Sequence, residues 1–153
     1  MRLVLGLLLV IGISSCSVFK RKQKRYLPDN IDKNVHFGMS LKEFKNLKGN
    51  KVSLYAEESF RKAYLENLND DELVSIVYYF DEDGDKPLYE VILDYKDKNG
   101  RDEEAAELFG DPNDGDEWSF KEAKPWPIKA WTYKSKLIVV AVIPNTEWWD
   151  EEQ

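Results

Sequence analysis

Cysteine and histidine are almost missing from this chain of 153 residues, which contains one of each, Cys16 and His36. A single cysteine excludes an intrachain disulfide, so packing alone must hold the fold. One histidine with no second cysteine leaves no zinc site rich in nitrogen and sulfur ligands, and no thiolate–imidazole dyad. The sequence also lacks a glycine-rich phosphate loop and a G-x-S-x-G elbow. We therefore expect a protein that is not an enzyme, with no cofactor and no metal.

Basic residues are outnumbered by acidic ones after the first 25 positions. From Tyr26 onward the chain has 16 basic and 29 acidic residues, a difference of −13. Such an acidic body repels phosphates, so we expect no nucleic-acid partner. Solubility alone accounts for the charge, and binding of basic partners or divalent cations is the alternative. Composition does not indicate an oligomeric state.

No apolar run is long enough for a clear membrane span. Leu3 to Ile13 gives eleven residues, or about 16 Å of helix, against a bilayer core of about 30 Å. The run follows the positive start Met1-Arg2 and precedes small residues, which is the layout of a secretory signal peptide. An uncleaved anchor over Leu3–Phe19, with a cytoplasmic C-terminal side, is the competing interpretation.

The motif Ile13-Ser14-Ser15-Cys16 resembles a lipobox. The resemblance implies cleavage before Cys16 and attachment of fatty acyl chains, palmitate among them, which anchor a protein stably when two or more are present. In a Gram-negative cell Ser17, in place of the aspartate that retains lipoproteins in the inner membrane, implies the outer membrane. We expect a lipid-anchored protein of the cell envelope that faces the periplasm.

A basic cluster follows the predicted anchor. It can pair with anionic lipid head groups, at about 1 kcal/mol per charge, or serve as a plain solvated tether. The cluster consists of Lys20, Arg21, Lys22, Lys24 and Arg25.

The remaining pattern predicts an α+β fold, with two short helices on a mostly antiparallel sheet. Ser40 and Glu43 form a capping box that starts a helix over 40–48, and acidic residues start a second helix over 102–109 after a turn at Asn99-Gly100. The predicted strands cover 73–80, 87–95, 117–120, 128–133 and 136–143, with further strands between 51 and 68.

We divide the chain into a signal peptide (1–15), a lipidated basic linker (16–34) and one α+β domain (35–153). Leu47-Lys48-Gly49-Asn50 and Leu108-Phe109-Gly110-Asp111 lie 61 residues apart. A tandem duplication of a helix-plus-strands unit, with half-repeats 35–97 and 98–149, would explain this spacing, and chance similarity is the alternative.

A family resemblance rests on the first helix. Gly38-Met39-Ser40-Leu41-Lys42-Glu43-Phe44, with the Leu108-Phe109-Gly110-Asp111-Pro112 stretch, resembles the helix motif of small outer-membrane lipoproteins of the SmpA/OmlA type. The first stretch lacks the closing proline and the second lacks the opening Gly-Met. A similar layout occurs in the secreted beta-lactamase-inhibitor proteins. The resemblance implies support of outer-membrane protein assembly or inhibition of another protein.

Aromatic residues are concentrated near the C-terminus. They pack in the core or form an exposed patch of the kind found in protein interfaces. Pro125-Trp126-Pro127 is hard to place inside a sheet, because proline cannot donate to a ladder. The predicted partner-binding residues are therefore Trp126 first, followed by Trp148, Trp149, Trp131 and Tyr133.

These observations predict a membrane-anchored, non-enzymatic module that binds a protein or supports envelope assembly. An anchored inhibitor or immunity protein directed against a hydrolase is the alternative within binding functions. An envelope enzyme acting on glycan would need two converging carboxylates in a cleft.

Overall fold

A capping box starts the first helix of the computed structural model, which describes residues 24–149. The Ser40 hydroxyl accepts from the amide of Glu43, and the Glu43 carboxylate accepts from the amide of Ser40 at 3.0 Å. Helix α1 (Leu41–Lys48) begins directly after this box and ends at Gly49, as the sequence predicts. A single 3₁₀ turn, Gly49–Lys51, leads into the sheet.

The described residues form two helices and seven strands, which confirms the α+β class with a mostly antiparallel sheet. The strands are β1 (Val52–Glu57), β2 (Arg61–Asn67), β3 (Leu73–Asp81), β4 (Leu88–Tyr95), β5 (Trp118–Phe120), β6 (Ile128–Tyr133) and β7 (Lys136–Ala141), with helix α2 (Lys98–Phe109) between β4 and β5. All neighbouring strands are antiparallel, in the order β1-β2-β3-β4-β7-β6-β5.

Both helices pack on one face of this sheet. Phe44 of α1 contacts Tyr64, Tyr78 and Phe80, and Phe109 of α2 contacts Trp118 and Phe120. The cross-strand register places these strand residues on the same side, because side chains alternate along each strand. The main core therefore lies between the helices and this face.

The opposite face is covered in part by a C-terminal strap, which we define as residues 144–149. Its Glu147 is bound by Arg61 of β2, and its Trp148 packs on Trp131 of β6 with ring centroids 5.1 Å apart. Val77, Ile138 and Val140 on this face are buried. Trp148 therefore packs back on the sheet.

Helix α2 begins four residues earlier than the sequence predicts. Asp97 caps it by accepting from the amides of Asn99 and Gly100, at 2.9 and 3.1 Å. The expected turn at Asn99-Gly100 is therefore wrong, because a side-chain cap lets both residues enter the first helical turn. Asp102 lies in the second turn instead of at the N-terminus.

The predicted linker also extends too far along the chain. Residues 24–34 pack on the domain, with Leu27 and Ile31 only 3% and 2% exposed. The expectation that order begins near Val35 is therefore wrong. Leu27, Ile31, Val35 and Met39 recur every four residues along a series of turns and enter the core together.

The order of elements is repeated along the chain. Helix α1 is followed by the meander β1-β2-β3, and α2 is followed by β5-β6-β7, with β4 between the two groups. Strands β3 and β7 flank β4 and both run antiparallel to it. Tandem duplication remains a prediction.

A buried polar group connects α1 to the sheet. The Lys48 ammonium lies 2.7 Å from the Glu66 carboxylate, and the Tyr78 hydroxyl donates to the same carboxylate oxygen at 2.6 Å. Burial and this bond raise the pKa of Tyr78. The carboxylate is thus neutralised inside the core, as a buried charge requires.

Candidate functional site

The N-terminal segment, which we define as residues 24–38, forms one wall of a cleft. The Arg25 guanidinium donates to the carbonyl oxygens of Pro28, Ile31 and Asp32 at 2.8 to 3.0 Å. These bonds hold the turns of the segment in place. The sequence analysis predicted that Arg25 contacts lipid head groups. In the structure its guanidinium donates these hydrogen bonds to backbone carbonyl oxygens. Lys20, Arg21, Lys22 and the lipidation residue Cys16 lie outside the described residues.

Trp126 forms the facing wall, and Gly38 makes room for it. Gly38 has a φ of +80°, and a Cβ added there would overlap the Cη2 and Cζ3 atoms of the Trp126 ring. The Gly38 amide also donates to the carbonyl oxygen of Leu88 at 2.8 Å, which joins the segment to the start of β4. Glycine is therefore required at this position for both backbone conformation and close packing.

Between these walls lies a cavity of about 450 Å³, which we name the Trp126 cleft. Buried apolar residues line its floor, half-buried aromatic residues form its walls, and basic residues surround its mouth. The lining residues are Lys24, Arg25, Tyr26, Leu27, Lys33, Val35, His36, Phe37, Gly38, Lys124, Pro125, Trp126 and Ile128.

The mouth of the Trp126 cleft is basic. The Lys24 ammonium lies over the rings of Tyr26 and Phe120, 5.3 and 4.7 Å from their centroids. Exposed His36 sits nearby, and its Nδ1–H donates to the carbonyl oxygen of Phe37 at 3.0 Å. This bond points to the Nδ1–H tautomer, because a carbonyl oxygen can only accept.

Replacing Gly38 with alanine should destabilise the domain by about 2 kcal/mol. A positive φ costs alanine about 1 kcal/mol, and moving the Trp126 ring adds to this. Urea unfolding and tryptophan emission would measure the loss and the movement of the ring. Gly115, with a φ of +62° and open space around it, is the matched control. Gly115→Ala should cost only the backbone part, and equal losses would contradict packing of Trp126 on Gly38.

The structure separates the predicted aromatic contact residues into two groups. Trp126 lines the cleft, whereas Trp131 and Tyr133 point from β6 to the face that carries the strap. Trp148 joins Trp131 there, Trp149 is half-buried, and Tyr133 is 59% exposed. Of the tryptophans among residues 24–149, only Trp118 is buried, and it lies in the main core. The aromatic residues therefore form no single patch.

A carboxylate that the sequence analysis did not single out lies beneath the strap. Glu90 is 5% exposed, and it accepts from the indole Nε1–H of Trp148 at 3.0 Å. Burial, with a smaller contribution from the charge of Glu147, raises the pKa of Glu90 to about 7. In the sequence, the only sign of an unusual position is that this acidic residue stands between Tyr89 and Val91 in an apolar strand. Glu147 itself accepts from Tyr89 and Arg61, each at 2.9 Å.

The acidic turns show no clustered metal site. Among residues 24–149, no group of three or more histidine, cysteine, aspartate or glutamate side chains could hold a metal ion. In the turn after β3, the Asp81 carboxylate accepts from the amide of Asp83 at 2.7 Å, which is ordinary turn chemistry. Neither helix among residues 24–149 has the length and the apolar composition that a membrane span requires.

Comparison with protein-family models, with curated proteins and with solved structures gives no match for this chain.

Proposed function

We propose that this protein is a lipid-anchored, non-catalytic module that binds a protein partner at the periplasmic face of an outer membrane. The observation that carries the proposal is the Trp126 cleft, an aromatic and basic cavity built partly from the segment that leads back to Cys16. Aromatic residues are enriched in protein interfaces and often contribute most of the binding energy. The lipobox motif and the resemblance to lipoproteins of the SmpA/OmlA type support the location and the class.

The buried position of Glu90 beneath the strap favours binding over glycan hydrolysis. Glu90 and Glu147 interact electrostatically, but Trp148 covers Glu90 and leaves it 5% exposed. A glycosidase needs its acid and its second carboxylate open to the sugar on either side of the scissile bond. A glycan could reach Glu90 only after the strap had left the sheet.

The anchoring part of the proposal is tested by intact mass. Protein from membranes should lack residues 1–15 and carry added acyl mass on Cys16, whereas Cys16→Ala should keep Met1 and carry no acyl mass. Ser17→Asp is the matched control, because it keeps the acylation and should move the protein to the inner membrane. Unmodified Cys16 with Met1 still attached would contradict the anchor.

The binding part is tested by pull-down from solubilised membranes with one tryptophan changed at a time. Trp126→Ala should lose the partner that the natural chain retains. Trp149→Ala is the control, because Trp149 does not line the Trp126 cleft. Equal recovery with both variants would place the partner elsewhere on the domain, and a captured hydrolase would favour the inhibitor alternative.

A further inference from the structure

The lining of the Trp126 cleft reverses the charge of the domain around it. Five of its thirteen lining residues are basic or histidine, and none is acidic. From Tyr26 onward the chain nevertheless has 29 acidic residues against 16 basic ones. A local concentration of positive charge in an acidic body attracts an anion and orients it toward the mouth.

The interior of the same cleft is apolar. Leu27, Val35 and Ile128 are buried at its floor, and Phe37 and Trp126 are half-buried in its walls. Apolar floors with a few polar groups at the rim are typical of ligand sites, and aromatic walls supply most of the contact area. The ligand must therefore carry an apolar group next to its negative charge.

The end of a polypeptide chain has this combination. Its terminal carboxylate is bonded to the Cα atom that bears the last side chain, so the charge and an apolar group lie within one residue. An internal aspartate or glutamate places its charge at the tip of the side chain, where an apolar floor would exclude it. A cavity of about 450 Å³ is in the range for small ligands, which suits a chain end better than a folded element.

We propose that the Trp126 cleft binds the C-terminal end of a partner polypeptide, with the carboxylate at the basic mouth and an apolar last side chain on the floor. The inference rests on the proposed function, since it names the part of a protein partner that the cleft recognises. Lys33 lies at the mouth and is exposed, so charge reversal there should leave the core unchanged.

The test uses the full lipidated chain in nanodiscs of zwitterionic phosphatidylcholine, which offer no anionic lipid to the cleft. A hexapeptide ending in Leu-Phe, labelled at its amino end, is titrated by fluorescence anisotropy as the free acid and as the C-terminal amide. The acid should bind at least ten times more tightly than the amide, and its affinity should fall as salt rises.

Variants connect this preference to the cleft. Lys33→Glu should weaken binding of the acid at least fivefold, while the amide changes little. Lys98→Glu is the matched control, because Lys98 is an exposed lysine of α2 that does not line the cleft. Trp126→Ala should abolish binding of both peptides, and circular dichroism shows whether that variant is folded. If it is not folded, the comparison of Lys33→Glu with Lys98→Glu decides.

Three results would overturn the inference: equal affinity for acid and amide, tighter binding of dodecanoate than of the peptide acid, or equal effects of Lys33→Glu and Lys98→Glu. Tighter binding of dodecanoate would make the cleft a site for lipid chains. The proposed function is decided by the intact mass of Cys16 and by the pull-down, and neither measurement depends on the peptide titration. The failure of this inference can therefore be told apart from the failure of the proposed function.

Discussion

Replacing Lys48 with methionine should lower the free energy of unfolding by about 3–5 kcal/mol, because Glu66 then keeps a buried charge with no cation beside it. The two side chains are 6% and 8% exposed, and their charged atoms lie 2.7 Å apart. Methionine keeps most of the volume of the lysine stem, so the loss comes from the charge and not from a cavity. Urea unfolding at pH 8 measures this loss.

Two companion variants decide whether the buried charge is the cause. Lys48→Met with Glu66→Leu and Tyr78→Phe removes the whole polar group and should recover most of the lost stability, since apolar replacements of buried ion pairs are often neutral. Lys42→Met, an exposed change on the same helix, should have almost no effect. A triple variant as unstable as the single variant would show that packing around Lys48 matters more than its charge.

Glu90→Gln should stabilise the domain by about 3 kcal/mol at pH 8 and change little at pH 4. The folded pKa of Glu90 is about 7 against an ordinary value of 4.5, with burial as the main cause. Between pH 4.5 and pH 7, Glu90 therefore keeps its proton in the folded state, whereas in the unfolded chain it has lost that proton. The associated stability is complete below pH 4.5 and is lost as the pH rises through 7.

The strap should respond to the same titration. Above pH 7 the Glu90 carboxylate becomes charged beneath Trp148. The carboxylate of Glu147 and the rings of Tyr79 and Tyr89 lie beside it. The positive charge of Arg61 lowers the pKa of Glu90 and so opposes the effect of burial. Glutamine keeps an acceptor for the indole N–H without the charge. Thermal unfolding of both proteins from pH 4 to pH 9 measures the difference.

Glu103→Gln, an exposed change on α2, is the control for Glu90→Gln and should leave the pH profile unaltered. Glu147→Gln should act in the opposite direction, because it removes the charge that binds Arg61. A stabilisation by Glu90→Gln that is the same at pH 4 and pH 8 would assign the effect to packing, and the raised pKa would then be wrong.

Much of the fold follows from local patterns in the sequence. The capping box at Ser40 and the stop at Gly49 bound α1, and alternation of apolar residues identifies β3 and β4 with the hairpin between them. These features are local: a cap acts within one turn, and alternation needs only a buried face. The class of fold could therefore be predicted without any long-range contact.

Other features depend on contacts that a linear pattern does not contain. The basic composition of residues 20–25 suggested a tether, although Leu27 and Ile31 enter the core at the spacing of the later Val35 and Met39. The start of α2 depended on a single side-chain cap at Asp97. Glu90 became unusual only when the strap, 58 residues further along the chain, placed Trp148 over it.

The candidate site was predicted in part. Trp126 stood out because two prolines flank it, and the structure places it in the wall of the cleft. The basic mouth required residues 24–34, which the sequence analysis had assigned to the linker, and the packing of Trp126 on Gly38 is a contact between residues far apart in the chain. The other four predicted contact residues lie near Trp126 in the sequence but do not line the cleft. Alternation along β6 directs Trp131 and Tyr133 to the opposite side of the sheet.

The short stretch from Cys16 to Lys24 has a consequence for geometry. Eight residues of polypeptide span at most about 29 Å when fully extended. An acylated Cys16 would therefore keep Lys24 within roughly one bilayer thickness of the lipid surface. A partner would meet this protein in a thin layer next to the membrane, where restricted volume raises the frequency of encounter and favours chain ends that emerge close to the lipid.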